Sequence, residues 1–310
     1  MTPTVFIDGA VGTTGLEIAE RLVGRAEFAL LTLDEARRKD ESARREAFHS
    51  ADFAILCLPD DAAREAVALA GGSKVRIIDA SSAHRVAPDW TYGFPELVGR
   101  DAVAGAERVS NPGCYPTGFL ALVAPLVRIG LLPADWPYTV NAVSGYSGGG
   151  KALIARFGGA PGSEGRDIAW RGYGLNGGHK HVPEMQLQAG LMHPPLFAPA
   201  VVPAYRGMVV EVPLPRAIID IDGATLRHAL DTFYADSRVV QVAQDAPADG
   251  ELLLRVATGP SDALTLHVFE GAEGIRLVAL LDNLGKGASG AAVQSLNLMA
   301  GLEETTGLRL

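Results

Sequence analysis

"TVFIDGAVGTTGLEIAERL", Thr4 to Leu22, reads as a strand, a glycine turn and an amphipathic helix. Gly9, Gly12 and Gly15 stand at the strand-to-helix junction, and Thr13 and Thr14 open the helix. Glycines there permit a tight turn and let backbone N–H groups approach a pyrophosphate, while the helix dipole favours the anion. The spacing is G-x-x-G-x-x-G rather than the G-x-G-x-x-G usual in NAD enzymes. A glycine motif alone is weak; the strand before it and the helix after it give it weight.

The elements that follow extend the pattern. "FALLTL", "FAILCL" and "VRIIDA" are further strands, with a solvated helix expected over Asp34 to His49 and an alanine-rich one over Asp60 to Ala70. Strands that are apolar on both faces and alternate with helices indicate a parallel, doubly wound α/β sheet. Asp34 is placed to hold a ribose hydroxyl; alternatively Arg37, Arg38 and Lys39 hold the 2′-phosphate of NADP, or the segment is simply solvated.

The pattern changes after Cys114. "YTVNAVSG", "GMVVEVPL", "ELLLRVA", "LTLHVF" and "IRLVALLDN" read as strands without regular intervening helices, so a second, α+β domain on a largely antiparallel sheet is expected. Helices are expected over Ala224 to Tyr234 and Ser289 to Leu302, the last one packing back on the first lobe. The expected division is a dinucleotide-binding domain over 1–113, completed by 288–310, and a catalytic and oligomerisation domain over 114–287. The glycine-rich segment Gly148 to Gly178 reads as a functional loop.

The 310 residues suffice for two cores, and an apolar fraction of 48% describes a folded soluble protein. A net charge of −9 argues against a broad nucleic-acid surface, which needs a basic stripe. No apolar run approaches the roughly 20 residues of a membrane span, and the N-terminus lacks a secretion signal, so a cytoplasmic protein is expected.

Two cysteines stand in contrasting settings. Cys57, inside "FAILCLP", reads as a small core residue. Cys114, in "SNPGCYPTG", lies before a helical pattern over Thr117 to Val127, with Pro116 suited to the first helical position. A thiol just before a helix N-terminus has its pKa lowered and is a candidate nucleophile, with a structural cysteine as the alternative. Pro125 is expected to kink or shorten that helix. "GGHKHVPEM" supplies His179, Lys180, His181 and Glu184; two histidines and a glutamate suggest metal ligands, but the spacing matches neither H-E-x-x-H nor a Cys-rich zinc pattern. A thiol needs a base, and a histidine oriented by a carboxylate fits that need better than a surface pair. "SGYSGGGK", Ser144 to Lys151, offers glycines, hydroxyls and a cation to an anionic or acyl-bearing substrate. Dinucleotide, thiol and histidine together suggest hydride reduction of a thioester to an aldehyde.

With these motifs assembled, the chain resembles the N-acetyl-gamma-glutamyl-phosphate reductases of arginine biosynthesis, in their shorter form. The resemblance spans essentially the whole chain and rests on "GAVGTTG", "DASSAHRV", "YGFPEL", "SNPGCYPTG", "SGYSGGGK", "GHKHVPEM" and "DNLGKGASGAAVQ" in that order. It implies a Rossmann-type NADP(H) domain, an α+β domain like that of aspartate-semialdehyde dehydrogenase, and reduction of an acyl phosphate with release of inorganic phosphate. It implies Cys114 as nucleophile and one of the two histidines as base. His181 is favoured, because Glu184 follows it by one helical turn. The family's Ser-Ala-Asp-Phe-Arg segment appears as Ser82-Ala83-His84-Arg85-Val86, one residue less acidic. The resemblance further implies cofactor contacts from Ser81, Lys286 and Gly287 beside the glycine turn. Substrate contacts are implied from Arg85, Asn111, Ser144, Gly145 and Lys180. A homo-oligomer, dimer or tetramer, is expected, and from charge, apolar runs and motif spacing no nucleic acid, membrane or metal partner is. The rivals are a related acyl-phosphate reductase acting on aspartyl or carrier-bound aminoadipyl phosphate, and a non-catalytic NADP-binding redox sensor.

Overall fold

In the computed structural model, which describes residues 2–158, 164–217, 219–245, 247 and 249–310, the opening stretch forms β1 (Thr4–Asp8) and α1 (Thr13–Leu22). There follow β2 (Ala29–Leu31), α2 (Glu41–Ser50), β3 (Phe53–Leu56), α3 (Asp60–Leu69) and β4 (Arg76–Asp79). The short β5 (Thr91–Tyr92), α4 (Pro95–Val98), α5 (Arg100–Gly105) and β6 (Arg108–Ser110) complete this run. Its strands form one parallel sheet in the order β2-β1-β3-β4-β6-β5. The winding reverses at β1. Strand residues alternate between two buried layers: Val5, Ile7 and Ile55 pack with Ile18 and Leu22, while Phe6, Ala54 and Leu56 pack with Phe48 and Ala66. Burial on both faces is why these strands read as unbroken apolar runs.

The second unit begins with α6 (Cys114–Arg128) and β7 (Thr139–Gly145), then α7 (Gly150–Phe157), β8 (Arg171–Gly172), α8 (Val182–Ala189), β9 (Leu196–Val202) and β10 (Met208–Pro215). It closes with α9 (Gly223–Phe233), β11 (Val240–Val242), β12 (Leu264–Gly271) and β13 (Gly274–Leu281). The sheet order is β11-β12-β13-β10-β7-β9-β8, and only the β7–β9 and β11–β12 pairings are parallel. Helix α6 is apolar almost all round and lies against β10 and β13, with α8 and α9 beside it. Gly118 allows the close approach, since a Cβ there would lie 2.8 Å from a Val210 methyl. The last helix, α10 (Gly290–Met299), packs on α5 and α1 of the first unit. One unit thus comprises 1–113 with 288–308, the other 114–287 with 309–310. Asp262 binds Arg309 of the terminal pair through backbone and side chain, at 2.7 and 2.8 Å.

Several expectations are corrected. The charged segment is not helical from Asp34: Asp34 Oδ1 accepts the Arg37 N–H at 2.9 Å and closes a turn. The helix starts at Glu41, capped by Asp40 through the Ala43 N–H at 2.7 Å. Helix α6 begins at Cys114 itself, so Pro116 is its third residue; N–H groups of a first turn lack intrahelical partners anyway, and proline costs nothing there. The helix runs on past Pro125 to Arg128. Proline strips the Ala121 carbonyl of its helical donor, and Tyr234 Oη replaces it at 2.9 Å. "ELLLRVA" joins no sheet; its Leu254 packs over Gly207, and the edge position goes to β11. The segment Gly148 to Gly178 contains α7 and β8 rather than one continuous loop, and its residues 159–163 lie outside the described residues.

Candidate active site

In the first unit the glycine turn follows from sterics. Gly9 has φ +88°, and a Cβ there would lie 2.4 Å from the Cys57 carbonyl oxygen. A Cβ on Gly15 would lie 2.5 Å from the Gly9 carbonyl oxygen. Gly12 is the N-cap of α1, and no side chain caps that helix. Its N–H donates to the Gly9 carbonyl at 3.1 Å, which closes the turn. The amides of Thr13 and Thr14 therefore open an uncapped helix at the point where the winding reverses. A cradle that side chains would fill, backed by unsatisfied N–H donors, fits a dinucleotide pyrophosphate.

Around this turn, Asp8 ends β1 in a buried position and pairs with Arg44, whose Nε and Nη2 donate to one carboxylate oxygen at 3.1 and 2.8 Å. Burial pushes the Asp8 carboxyl above its ordinary value, against the pull of Arg44. Arg37 and Arg38 sit on the turn before α2 and pair with Glu46 at 3.1 Å and with Glu35 at 2.7 Å. After β4, the buried Asp79 accepts from the Ser81 N–H and hydroxyl at 2.9 and 2.7 Å. The same carboxylate meets His84 Nδ1 at 2.6 Å, and that ring stacks on Trp90 with centroids 4.2 Å apart. Ser81 is thereby fixed in the loop rather than projecting from it. Arg85 is buried, with Nε on the Asn111 carbonyl at 3.0 Å and Nη2 on the Ala80 carbonyl at 3.1 Å. Two of its donors thus tie the loop after β4 to that after β6. Asn111 donates from Nδ2 to the Ala288 carbonyl at 3.0 Å.

In the second unit Cys114 is the first residue of α6 and half-buried. Tyr115 behind it donates to the Ala200 carbonyl at 3.2 Å and accepts the Tyr173 hydroxyl at 3.2 Å. Its ring touches His181, His179 and Phe197 at centroid distances of 5.9, 6.3 and 5.1 Å. The residue next to the thiol therefore joins both histidines in one aromatic cluster. Burial first, then Tyr173 and Cys114, pushes the Tyr115 phenol well up, and burial pushes Tyr173 up to about 12, so both stay protonated donors. His181 is buried and serves as the N-cap residue of α8, which packs on α6. Glu184, the third residue of α8, is buried as well. His179 Nδ1 accepts the His181 N–H at 3.2 Å, which leaves the ring proton to Nε2 in the neutral form. Burial and the neighbouring Lys180 hold His179 below its ordinary value. Lys180 itself is exposed.

Ser144 is buried, and its hydroxyl donates to the Gly145 carbonyl at 3.0 Å. A Cβ on Gly145 would lie 2.8 Å from the Arg206 backbone. Lys286 is buried, 1% exposed, in the turn after β13. Gly287 lies against Cys114, held by a turn that sequence reasoning missed. Asp282 accepts Arg206 Nη1 at 2.8 Å and the Leu284 N–H at 3.0 Å, and its carbonyl accepts the Gly287 N–H at 3.1 Å. Cys57, by contrast, is pushed up to about 12, first by burial and then by Asp79 and Asp8. It stays a thiol. Among the described residues no three His, Cys, Asp or Glu side chains group as a metal site, and no helix is long and apolar enough to cross a membrane.

Residues 32–106 match the family model described as semialdehyde dehydrogenase, NAD binding domain, and residues 114–283 match the semialdehyde dehydrogenase dimerisation domain. Aspartate semialdehyde dehydrogenase II of Vibrio cholerae superimposes with a TM-score of 0.70 at 19% identity, covering 97% of this chain and 99% of that one. The Francisella tularensis enzyme gives 0.70 at 14% identity, with coverage of 96% and 99%. Fold and matched domains define a semialdehyde dehydrogenase-type oxidoreductase with a nicotinamide-cofactor domain. Curated relatives are closer in sequence. The N-acetyl-gamma-glutamyl-phosphate reductase of Trichormus variabilis is 48% identical over 99% of both chains, and that of Burkholderia lata 50% identical over 96% of both. The chain belongs to the N-acetyl-gamma-glutamyl-phosphate reductase family.

Proposed function

We propose that the protein reduces N-acetyl-gamma-glutamyl phosphate to N-acetylglutamate 5-semialdehyde and inorganic phosphate, with NADPH as reductant and a thioester on Cys114. The observation that carries this reading is Cys114 at the first position of α6, with Tyr115 beside it in ring contact with both histidines.

In this reading His181 takes the proton of the Cys114 thiol, and Sγ attacks the acyl carbon. The bond from that carbon to the phosphate oxygen breaks, and His181 returns the proton to the departing phosphate. NADPH, when bound, supplies the hydride that brings the thioester to the aldehyde level. The carbon–sulfur bond then breaks, the aldehyde leaves, and the Cys114 thiolate regains a proton from solvent. Gly9, Gly12, Thr13, Thr14 and Gly15 hold the pyrophosphate. Ser81 shapes the loop beside the cofactor, and Lys286 and Gly287 shape the turn beside Cys114. Glu184 positions the α8 end that carries His181. Lys180, exposed beside His179, supplies positive charge for the substrate phosphate, while Ser144 and Gly145 shape its surroundings; in the first unit Arg85 and Asn111 hold the loops after β4 and β6.

The match to a dimerisation domain supports a homo-oligomer, and a mechanism that needs a reduced thiol fits a cytoplasmic setting. Incubating the protein with the acyl phosphate but no NADPH tests the covalent step. Mass spectrometry is expected to find the N-acetylglutamyl group as a thioester on the Cys114 peptide; an adduct elsewhere, or none, overturns the proposal.

A further inference from the structure

We infer that Arg44 is the residue that reads the 2′ position of the bound dinucleotide, its Nη1 edge engaging the 2′-phosphate of NADPH while Asp8 holds the rest of the guanidinium. This rests on the cofactor reading above and assigns within it a role that neither the glycine motif nor the basic turn supplies.

Position comes first. In doubly wound sheets ligands lie outside the carboxyl ends of the strands, at the point where the winding reverses, and the adenosine ribose reaches toward the strand next to the glycine turn. Asp8 is the last residue of β1, immediately before Gly9. Arg44 is in the first turn of α2, the helix that follows β2, and reaches across to Asp8. The pair therefore occupies the carboxyl end of the strand that carries the pyrophosphate cradle.

Its chemistry comes second. Nε and Nη2 of Arg44 both donate to Asp8 Oδ2, at 3.1 and 2.8 Å, which leaves Nη1 and Asp8 Oδ1 without partners among the described residues. The side chains are 12% and 5% exposed, so the fork is held in place before any ligand arrives. A preorganised guanidinium loses little freedom on meeting a phosphate, and its planar edge matches two phosphate oxygens. Asp8 Oδ1 offers an acceptor for a ribose hydroxyl beside it.

The rivals are less well built. Arg37 and Glu46 form a pair whose side chains are 53% and 75% exposed, and Glu35, which holds Arg38, is 77% exposed. Exposed pairs of this kind fix a cation weakly. Asp34, which could accept ribose hydroxyls in an NAD site, has one oxygen committed to the Arg37 N–H of its own turn.

Calorimetric titration of the full chain with NADPH, NADH, adenosine 2′,5′-bisphosphate and 5′-AMP tests this without turnover. Arg44→Gln is compared with the double variant Asp8→Asn/Arg44→Gln, which avoids leaving a buried carboxylate unpaired. Both are expected to lose about 10- to 100-fold in affinity for NADPH and the bisphosphate, as removal of a charge-assisted contact does, and to lose much less for NADH and 5′-AMP. Equal losses for all four ligands, or loss in Arg37→Gln or Arg38→Gln instead, overturn the inference while leaving the cofactor reading intact. If the unaltered protein binds neither dinucleotide, the cofactor reading falls and the inference falls with it.

Discussion

Gly287 lies directly against Cys114: a Cβ added to Gly287 would sit 3.0 Å from the Cβ that carries the thiol and 3.1 Å from the Asp282 carbonyl oxygen. Gly287→Ala must therefore push the Cys114 side chain by a few tenths of an ångström, because Asp282 is fixed by Arg206 and Leu284. Since a displacement of ~1 Å at a reacting atom can cost about 10²-fold, turnover is expected to fall roughly 10-fold or more. Dinucleotide affinity and melting temperature should change little. Unchanged kcat would show that this contact does not place the thiol.

In the proposed mechanism the first turn of α6 carries the reacting thiol, while its later turns carry stability. Tyr234 Oη supplies the hydrogen bond that Pro125 withholds from the Ala121 carbonyl. Tyr234→Phe leaves that buried acceptor unsatisfied and is expected to cost about 1–3 kcal/mol in urea unfolding, with kcat unaffected. Gly118→Ala, which would drive a Cβ to 2.8 Å from Val210, is expected to cost a similar ~1–3 kcal/mol by overpacking. A loss of activity without loss of stability in either variant would contradict this division.

The two cysteines should separate by pH. With Cys57 pushed up to about 12, it remains a thiol at pH 8, and alkylation of the native protein is expected to label Cys114 alone. Peptide mass spectrometry after brief treatment with iodoacetamide reads this directly. Faster labelling of Cys57 would refute it.

The histidines should differ in kind. His181→Asn is expected to lower kcat by about 10²- to 10⁴-fold, the range of general acid–base help, with a smaller change in KM. His179 binds its proton more weakly folded than unfolded, because burial and Lys180 hold its value below 6.5. As pH falls through 6.5 and below, the unfolded chain takes up that proton first, so stability drops across that window. His179→Asn should flatten this part of the stability profile. Lys180→Met, rather than His179→Asn, is expected to raise KM most, since a neutral imidazole attracts no anion. If His179→Asn abolishes turnover while His181→Asn stays active, the roles are reversed.

Much of this was legible in the residues. The strands of the first unit are buried on both faces, so their composition announces them, and a cysteine between Asn-Pro-Gly and Tyr-Pro-Thr-Gly stands out at a helix start. What was hidden depended on distant partners or on side chains capping turns. Nothing near Asp34 reveals that its carboxylate closes a turn and delays the helix to Glu41. "ELLLRVA" has strand chemistry, yet the sheet edge is taken by β11 and Leu254 is used to cover Gly207. The pairing of Asp8 with Arg44, and the burial of Lys286, exist only once the chain has folded.

The central claim is an acyl-phosphate reduction specific for the N-acetylglutamyl chain, and its reverse is the cleanest assay. Purified protein is given NADP⁺, inorganic phosphate and either N-acetylglutamate 5-semialdehyde or aspartate semialdehyde, and NADPH formation is followed by absorbance. The account predicts phosphate-dependent reduction with the acetylated substrate, much slower reaction with aspartate semialdehyde, and none in Cys114→Ser, which still binds NADP⁺. Reduction that does not need phosphate, that prefers aspartate semialdehyde, or that survives Cys114→Ser would contradict it.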